Sequence, residues 1–209
     1  MKFIYRLSHL TSVLAASLLT FAFCLNASGA IIGFSFSNSD LVPEILDTNL
    51  TVSNQATTNA ATFPTAGTIL YTKSAGNVME FRFDVEISPG FEMSITELFV
   101  GQEQQWRPVG QTSELLYDTG SGFQSIPSTQ HTPGNNSAVN FTSAPLTLSG
   151  LTGTVSFKYS NGPRIDKADN ISYDEFNLAG TVTAIPESSS LLLIGMGGLA
   201  GLIFLHRRK

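Results

Sequence analysis

The middle of the chain alternates apolar and polar residues over short stretches, which is the pattern of β-strands that bury one face. The clearest stretch is residues 78–87, which a Ser-Pro-Gly turn follows. Its apolar positions fall on one face of the predicted strand: Phe81, Phe83, Val85 and Ile87. Its charged positions fall on the other face: Arg82, Asp84 and Glu86. We therefore expect a strand with one face in a core and the other in water.

Similar stretches recur along the chain, separated by turns rich in Gly, Pro, Asn and Ser. In residues 91–101, Met93, Ile95 and Phe99 are spaced to share a face. Residues 47–62 have little hydrophobic rhythm and predict a weak edge strand with a loop. The other predicted strands are residues 31–37, 114–118, 138–142, 154–159 and 175–183. Short strands of this kind predict an all-β fold, an antiparallel β-sandwich, with a jelly-roll favoured over an immunoglobulin-like arrangement.

Residues 1–30 have the layout of a secretory signal peptide. Lys2 and Arg6 precede an apolar stretch over residues 7–25, and small residues follow it. The small residues suit cleavage after Ala30 or one residue earlier, and an N-terminal membrane anchor is the alternative. The predicted partners of this segment are the secretion translocon and signal peptidase.

A second apolar stretch lies at the C-terminal end. Residues 188–205 carry no charge, and a basic end follows at Arg207, Arg208 and Lys209. As a helix of about 18 residues, this stretch would be about 27 Å long, close to the thickness of a bilayer's hydrocarbon core. The basic end would lie in the cytoplasm. We predict a single C-terminal transmembrane helix, with a core helix or a plain anchor as alternatives.

The tail over residues 185–209 resembles the PEP-CTERM sorting signal of exported bacterial proteins. The resemblance rests on Pro186 and Glu187, then the apolar helix, then the basic end. It implies that an exosortase, a membrane-embedded peptidase or transpeptidase, recognises the motif and removes the helix. The inner membrane would then hold the chain only transiently. Ser188 stands where the family's motif has its second proline.

The resemblance extends to the domain between the two ends, residues 31–184. The Phe-Arg-Phe sequence at 81–83, the Trp-Arg pair at 106–107 and the stretch 148–157 are similar to exported jelly-roll domains that carry this tail. The resemblance implies a β-sandwich and no established activity.

Charge and cysteine content exclude some possible functions and structural features of residues 31–184. The single cysteine, Cys24, leaves with the signal peptide, so the exported domain has no disulfide. Six basic residues stand against fifteen acidic ones in this range, a formal charge of −9, whereas the whole chain carries −5. Such a domain repels phosphate backbones, so we expect no nucleic-acid partner. About 150 residues are enough for one domain with a single core.

Few side chains in this domain are suited to catalysis. His131 is its only histidine, and no nucleophile-elbow pattern lies beside it. No phosphate-binding glycine motif occurs either. From these observations together we predict neither catalytic residues nor a cofactor. One histidine without cysteine argues against zinc. The oxygen donors of residues 164–175 lack the spacing of a known calcium loop, so we predict a solvated acidic hairpin and no metal site.

Two groups of residues keep other functions open. Trp106, the sole tryptophan, would form a sugar-stacking platform with Tyr117 and Tyr159, or else pack in the core. Asp84 and Glu86 lie about 7 Å apart on one strand face. Two carboxylates suffice for a glycosidase, although this pair is also placed simply to face water.

These patterns together favour an exported cell-surface or extracellular-matrix protein without catalytic activity, sorted through its C-terminal tail. The alternative is a carbohydrate-binding module that acts on exopolysaccharide. A carboxylate-based glycan-acting enzyme is the third possibility.

Overall fold

The computed structural model describes most of the domain between the two predicted membrane-directed ends. The described residues are 29–36, 40–58, 60–62, 69–71, 78–106, 112–135, 137–162 and 170–186. Residues 1–28, the predicted membrane helix, Glu187 and the basic end lie outside them. Among the described residues, no helix is long and apolar enough to cross a membrane.

Two β-sheets account for the described strands, as the alternating pattern predicts. The strands of the first sheet are β1 (Gly29–Ser35), β2 (Ile45–Leu46), β4 (Ala60–Thr62), β5 (Ile69–Tyr71), β7 (Phe91–Trp106), β10 (Gly134–Asn135), β11 (Val139–Thr142), β12 (Leu148–Leu151), β14 (Asn170–Tyr173) and β15 (Glu175–Ala184). They follow the order β2-β1-β15-β7-β14-β5-β4, and β10, β11 and β12 also pair with β7.

The second sheet is smaller and runs in the order β3-β6-β13-β8-β9. Its strands are β3 (Leu50–Thr58), β6 (Met79–Ile87), β8 (Ser113–Asp118), β9 (Gln124–Ser125) and β13 (Thr154–Asn161). All pairings in both sheets are antiparallel except the short pairing of β10 with β7. The described fold is therefore an all-β antiparallel sandwich, which confirms the predicted class, and β3 is the predicted edge strand.

The alternation predicted for residues 78–87 is confirmed in β6. Its apolar side chains are buried throughout the strand, whereas Arg82 and Glu86 are exposed. The same alternation holds in β13, where Val155, Phe157 and Tyr159 are buried. These two strands pair in register, so their apolar sides form one continuous inner face of the second sheet.

A cluster of aromatic rings lies in the core between the two sheets. Phe34 of β1 and Phe176 of β15 come from the first sheet and meet Phe81 and Phe83 of β6. The ring centroids of Phe34 and Phe81 lie 5.0 Å apart in an edge-on arrangement, and those of Phe81 and Phe176 lie 5.6 Å apart. Edge-on packing of this kind stabilises a core beyond the burial of apolar area alone.

The predicted face of Phe99 is wrong, and an extra residue in β7 explains why. Thr96 has no partner in β15, because Glu97 pairs with Ala179 and Ile95 with Gly180. An extra residue in one strand shifts the alternation of every residue after it. Consequently Met93 and Ile95 are buried before the bulge, whereas Leu98 and Val100, and not Phe99, are buried after it.

Several short strands were not predicted from the alternation. They are β2, β4, β5, β9, β10, β12 and β14. Each has two to four residues, too few for a period of two to be recognised. In the segment predicted as a solvated acidic hairpin, Ile171, Ser172 and Tyr173 of β14 are buried, so the hairpin prediction is wrong there.

The two ends of the domain leave the sandwich at the same end. Gly29 of β1 pairs with Gly180 of the antiparallel strand β15, which continues to Ala184. Ala30 is exposed, while Ile31 and Ile32 behind it are buried. Cleavage after Ala30 stays a prediction, and it would leave the buried part of β1 complete.

Candidate functional site

The outer face of the second sheet carries a row of charged side chains. Alternation in β6 and β13 turns Arg82 and Lys158 away from the core, and the two residues are direct partners across the strands. On its other side Lys158 is the partner of Leu116 in β8. Glu80 of β6 lies on the same outer face, two residues before Arg82.

The loop between β8 and β9 returns the chain toward this face. Asp118 Oδ1 accepts hydrogen bonds from the backbone amides of Gly120 at 2.6 Å and Gly122 at 2.9 Å. Both glycines have positive φ, 105° and 96°, which L side chains rarely adopt. The turn brings β9 alongside β8 and places Phe123 over the charged row.

Phe123 forms, with Glu80, Arg82 and Lys158, a surface that we call the Phe123 platform. Lys158 Nζ lies 4.6 Å from the centroid of the Phe123 ring, and Arg82 Cζ lies 5.6 Å from it. Cations at these distances are attracted by the ring's face. Phe123 is 37% exposed, and the other described Phe, Tyr and His side chains are less exposed.

Glu80 holds both cations of the platform in place. Lys158 Nζ lies 3.0 Å from Glu80 Oε1, and Arg82 Nε donates to Glu80 Oε2 at 2.9 Å. Partial burial raises the pKa of Glu80, but hydrogen bonds from Lys158 and Arg82, with their positive charges, outweigh it and lower the pKa overall. Glu80 is therefore ionised at neutral pH, and the ring stands on an ordered ion-pair network.

The predicted sugar-stacking group of Trp106, Tyr117 and Tyr159 is wrong for Tyr159, whereas the glycan contact of Trp106 stays a prediction. Trp106 ends β7, and its side chain lies outside the described part of the structure. Tyr159 is fully buried. Tyr117 is half-buried against the core, and its hydroxyl donates to Gln124. Among the aromatic side chains that the structure describes, the most exposed ring is that of Phe123, which the sequence did not single out.

Neither of the two carboxylates considered for a glycan-acting enzyme, Asp84 and Glu86, lies in an apolar pocket. Asp84 accepts hydrogen bonds from Asn54 Nδ2 and Ser156 Oγ, each at 2.6 Å. Glu86 is exposed on the same strand. Neither has the apolar surroundings that convert a carboxyl group into a general acid. The prediction that the chain is not an enzyme stays a prediction.

Among the described residues, no group of three or more acidic, histidine or cysteine side chains is placed to hold a metal ion. Asp166 and Asp169 of the oxygen-donor stretch lie outside those residues. The pKa of Asp174 is raised, mainly by burial and also by the negative charge of Glu175. A hydrogen bond to its own backbone opposes this shift but does not cancel it. Pro186 of the predicted sorting motif is exposed.

A second polar group lies inside the sandwich and was not predicted. Glu103 of β7 is fully buried. Its Oε1 accepts two hydrogen bonds, one from Tyr159 OH at 2.6 Å and one from Ser113 Oγ at 3.0 Å. His131 Nε2 is in hydrogen-bond contact with Glu103 Oε2. Ser113 in turn accepts a hydrogen bond from Asn161 Nδ2. We call these five residues the Glu103 cluster.

The Glu103 cluster joins the two sheets through one carboxylate. Burial, and then the negative charge of Glu103, raise the pKa of Tyr159 and of its neighbour Tyr173 well above the usual value. Both hydroxyls therefore keep their protons up to strongly alkaline pH. Within the described residues, Tyr173 OH and Asn161 Oδ1 are buried without a hydrogen-bond partner.

Comparisons with known proteins identify no family for the chain. No family model matches its sequence, and no curated protein matches it. Solved structures resemble it at low similarity. The carbohydrate-binding module TmCBM61 in complex with β-1,4-galactotriose is 14% identical, with a TM-score of 0.35 over 66% of this chain and 89% of that one.

Two further solved structures show the same level of similarity. The CBM22-1 xylan-binding domain from Paenibacillus barcinonensis is 10% identical, with a TM-score of 0.36 over 74% of this chain and 96% of that one. A family two carbohydrate esterase from Cellvibrio japonicus is 12% identical, with a TM-score of 0.32 over 74% of this chain and 35% of that one. At this similarity the comparisons carry no argument about ligand or activity.

Proposed function

We propose that this chain is an exported, non-catalytic cell-surface or extracellular-matrix protein whose jelly-roll sandwich binds extracellular polysaccharide at the Phe123 platform. The observation that carries the proposal is the exposed Phe123 ring, whose centroid lies 4.6 Å from Lys158 Nζ and 5.6 Å from Arg82 Cζ. An aromatic face packs against the C–H face of a sugar ring, and the surrounding charged groups bind its hydroxyls. This proposal moves the aromatic contact from Trp106 to Phe123.

The charges around the platform favour a neutral polysaccharide over an anionic one. Glu80 balances part of the charge of Arg82 and Lys158. The domain as a whole carries a formal charge of −9 over residues 31–184. The net negative charge of the domain would repel a polyanion at long range. A neutral glycan meets no such barrier and retains both the ring and the hydrogen-bonding groups.

Substituting Phe123 with alanine is expected to weaken binding to a neutral polysaccharide by at least about tenfold, because an aromatic anchor supplies much of a small site's binding energy. Affinity electrophoresis of the full-length chain against a galactan, a xylan and a β-glucan, with alginate as an anionic comparison, measures this effect. Val42→Ala is the matched control, since Val42 is also apolar and 61% exposed but lies outside the platform, in the segment between β1 and β2. Equal retardation of the wild type and Phe123→Ala on every polysaccharide would overturn the proposal.

The sorting part of the proposal rests on the tail sequence. Ile185 N donates to Gly90 O at 2.8 Å, so backbone hydrogen bonding to the sandwich continues up to the residue before Pro186. In the sequence the Pro186-Glu187 motif stands between Ile185 and the predicted membrane helix, and we propose that a membrane-embedded exosortase recognises it there.

Intact-mass measurement of the chain isolated from its native host tests the sorting proposal. We expect a mature protein that begins at Ile31 and ends near Glu187. A further mass the size of a glycolipid would indicate transpeptidation, whereas its absence would indicate simple cleavage. Retention of Lys209 in the mature protein would contradict exosortase processing and leave an ordinary membrane-anchored protein.

A further inference from the structure

One carboxylate lies within reach of both cations of the Phe123 platform. Glu80 and Arg82 are two residues apart in β6, so their side chains lie on the same face of the strand. Lys158 is the partner of Arg82 across β6 and β13, which makes it a diagonal neighbour of Glu80. Diagonal neighbours in a sheet are about 7–8 Å apart, a distance that long side chains can span. The register of the two strands therefore places Glu80 beside both cations.

Each carboxylate oxygen of Glu80 binds a different cation. Oε1 lies 3.0 Å from Lys158 Nζ. Oε2 accepts hydrogen bonds from Arg82 Nε at 2.9 Å and from Arg82 Nη2. Among the described residues, no other carboxylate forms an ion pair with Arg82 or Lys158. Removal of this one negative charge would therefore leave both cations without a described anionic partner.

Two neighbouring acidic side chains on the outer face bind neutral donors instead. Asp84 Oδ1 accepts a hydrogen bond from Ser156 Oγ at 2.6 Å. Glu114 Oε2 accepts from Ser125 Oγ at 2.6 Å and from Gln130 Nε2 at 2.9 Å. Neither carboxylate forms an ion pair within the described part of the chain. A single side chain thus balances the charge of the platform's cations.

We propose that Glu80 is the specificity-determining residue of the Phe123 platform, because it occupies the position beside Arg82 and Lys158 that the carboxylate of an acidic sugar would take. The site is thereby restricted to neutral sugars. This inference rests on the proposed function, since it names the sugars that the same site accepts and the residue that excludes the others.

The chemistry of the ligand groups explains this selection. A sugar carboxylate only accepts hydrogen bonds, and it would find donors of Arg82 and Lys158 already bound to Glu80, with a like charge beside it. A sugar hydroxyl carries no charge and can donate to a remaining lone pair of Glu80. The Arg82 side chain is 46% exposed, so its other N–H groups can donate to a second hydroxyl. The same three side chains therefore exclude an acidic sugar and bind a neutral one.

The net charge of the domain is a second reason for the exclusion of an anion, and Glu86 separates the two effects. Residues 31–184 carry a formal charge of −9, so the loss of any acidic residue would weaken the long-range repulsion. Glu86 is exposed on the same strand and the same outer face as Glu80. It forms no ion pair with a residue that the structure describes. Glu86→Gln therefore changes the net charge as much as Glu80→Gln does, but frees neither cation.

Affinity electrophoresis of the full-length chain in alginate gels tests this role by comparing the wild type with Glu80→Gln and Glu86→Gln. We expect Glu80→Gln to bind alginate at least about tenfold more tightly than the wild type, the effect of one charge-assisted hydrogen bond. Glu86→Gln should stay within about twofold of the wild type, since salt screens a single exposed charge. The double variant Glu80→Gln/Lys158→Gln should lose the gain, because it removes one of the two freed cations. Glu80→Gln should still bind the neutral polysaccharides, because the amide oxygen remains an acceptor.

Equal alginate affinity of Glu80→Gln and Glu86→Gln would overturn the role of Glu80, as would a gain that persists in the double variant. If Glu80→Gln fails to fold, Glu80→Ser and Glu86→Ser give the same comparison, since serine also removes the charge. A gain in Glu80→Gln, with no binding of the wild type to any neutral polysaccharide, would retain Glu80 as the group that excludes anions and reject the proposed function. Wild-type binding to a neutral polysaccharide without that gain would retain the proposed function and reject the role of Glu80.

Discussion

Glu103→Ala is expected to lower the free energy of unfolding by about 3–5 kcal/mol, because the buried donors that bond to its side chain lose their acceptor. The carboxylate of Glu103 accepts hydrogen bonds from Tyr159 and Ser113 and contacts His131, and alanine replaces none of these contacts. Each buried donor left without an acceptor costs about 1–3 kcal/mol. The same substitution removes the connection between the two sheets at this end of the sandwich.

Urea denaturation of the full-length chain measures this effect, with Glu86→Ala as its control. Glu86 has the same side chain on an exposed strand position, so its removal should change the unfolding free energy by no more than about 0.5 kcal/mol. Glu103→Gln should fall between the two, because the amide retains one acceptor. A loss at Glu103→Ala as small as that at Glu86→Ala would show that the cluster does not stabilise the fold.

Phe81→Ala is expected to lower the free energy of unfolding by about 3–5 kcal/mol, as large truncations of buried aromatic rings do. Phe81 is fully buried, and its ring lies within 5.6 Å, centroid to centroid, of four others: Phe34, Phe36, Phe83 and Phe176. Three of these rings come from the first sheet or the residue after β1. Truncation would leave a cavity where the two sheets meet, and the rigid strands around it cannot close it.

The matched control for this truncation is Phe123→Ala, the same chemical change on the sheet's outer face. Phe123 contributes there mainly through its contacts with Lys158 and Arg82, so we expect a loss of at most about 1 kcal/mol. Denaturation curves of both variants give the comparison directly. Equal losses would mean that Phe123 belongs to the core and would remove the basis of the platform.

The alternation of residues was sufficient to predict the strands that form the core. In β6, and in β13 up to Tyr159, every second residue is apolar, and burial of the apolar set follows from the period of two alone. The pairing partners did not follow from it. Lys158 lies opposite Arg82 because β13 returns beside β6, a choice that depends on the packing of the whole chain.

Glu103 shows most clearly where the alternation of apolar and polar residues fails to predict which side chains are buried. If β7 continued regularly after Leu98 and Val100, Gln102 would be buried and Glu103 would face water. Gln102 instead adopts φ 49° and is exposed, with its backbone amide donating to Asn140 Oδ1 at 3.0 Å. This second irregularity shifts the alternation again and turns Glu103 inward.

The sequence by itself determined the all-β class, the inner faces of the regular strands and the acidic charge of the domain, because these depend on local period and composition. The predicted sorting tail is likewise read from local sequence. Only the tertiary structure decided the burial of Glu103 and the exposure of Phe123. The burial of Glu103 depends on a bulge at Gln102, whose backbone amide donates to Asn140, 38 residues later. The exposure of Phe123 depends on the glycine turn after Asp118, which brings its ring over Arg82 and Lys158 of two other strands.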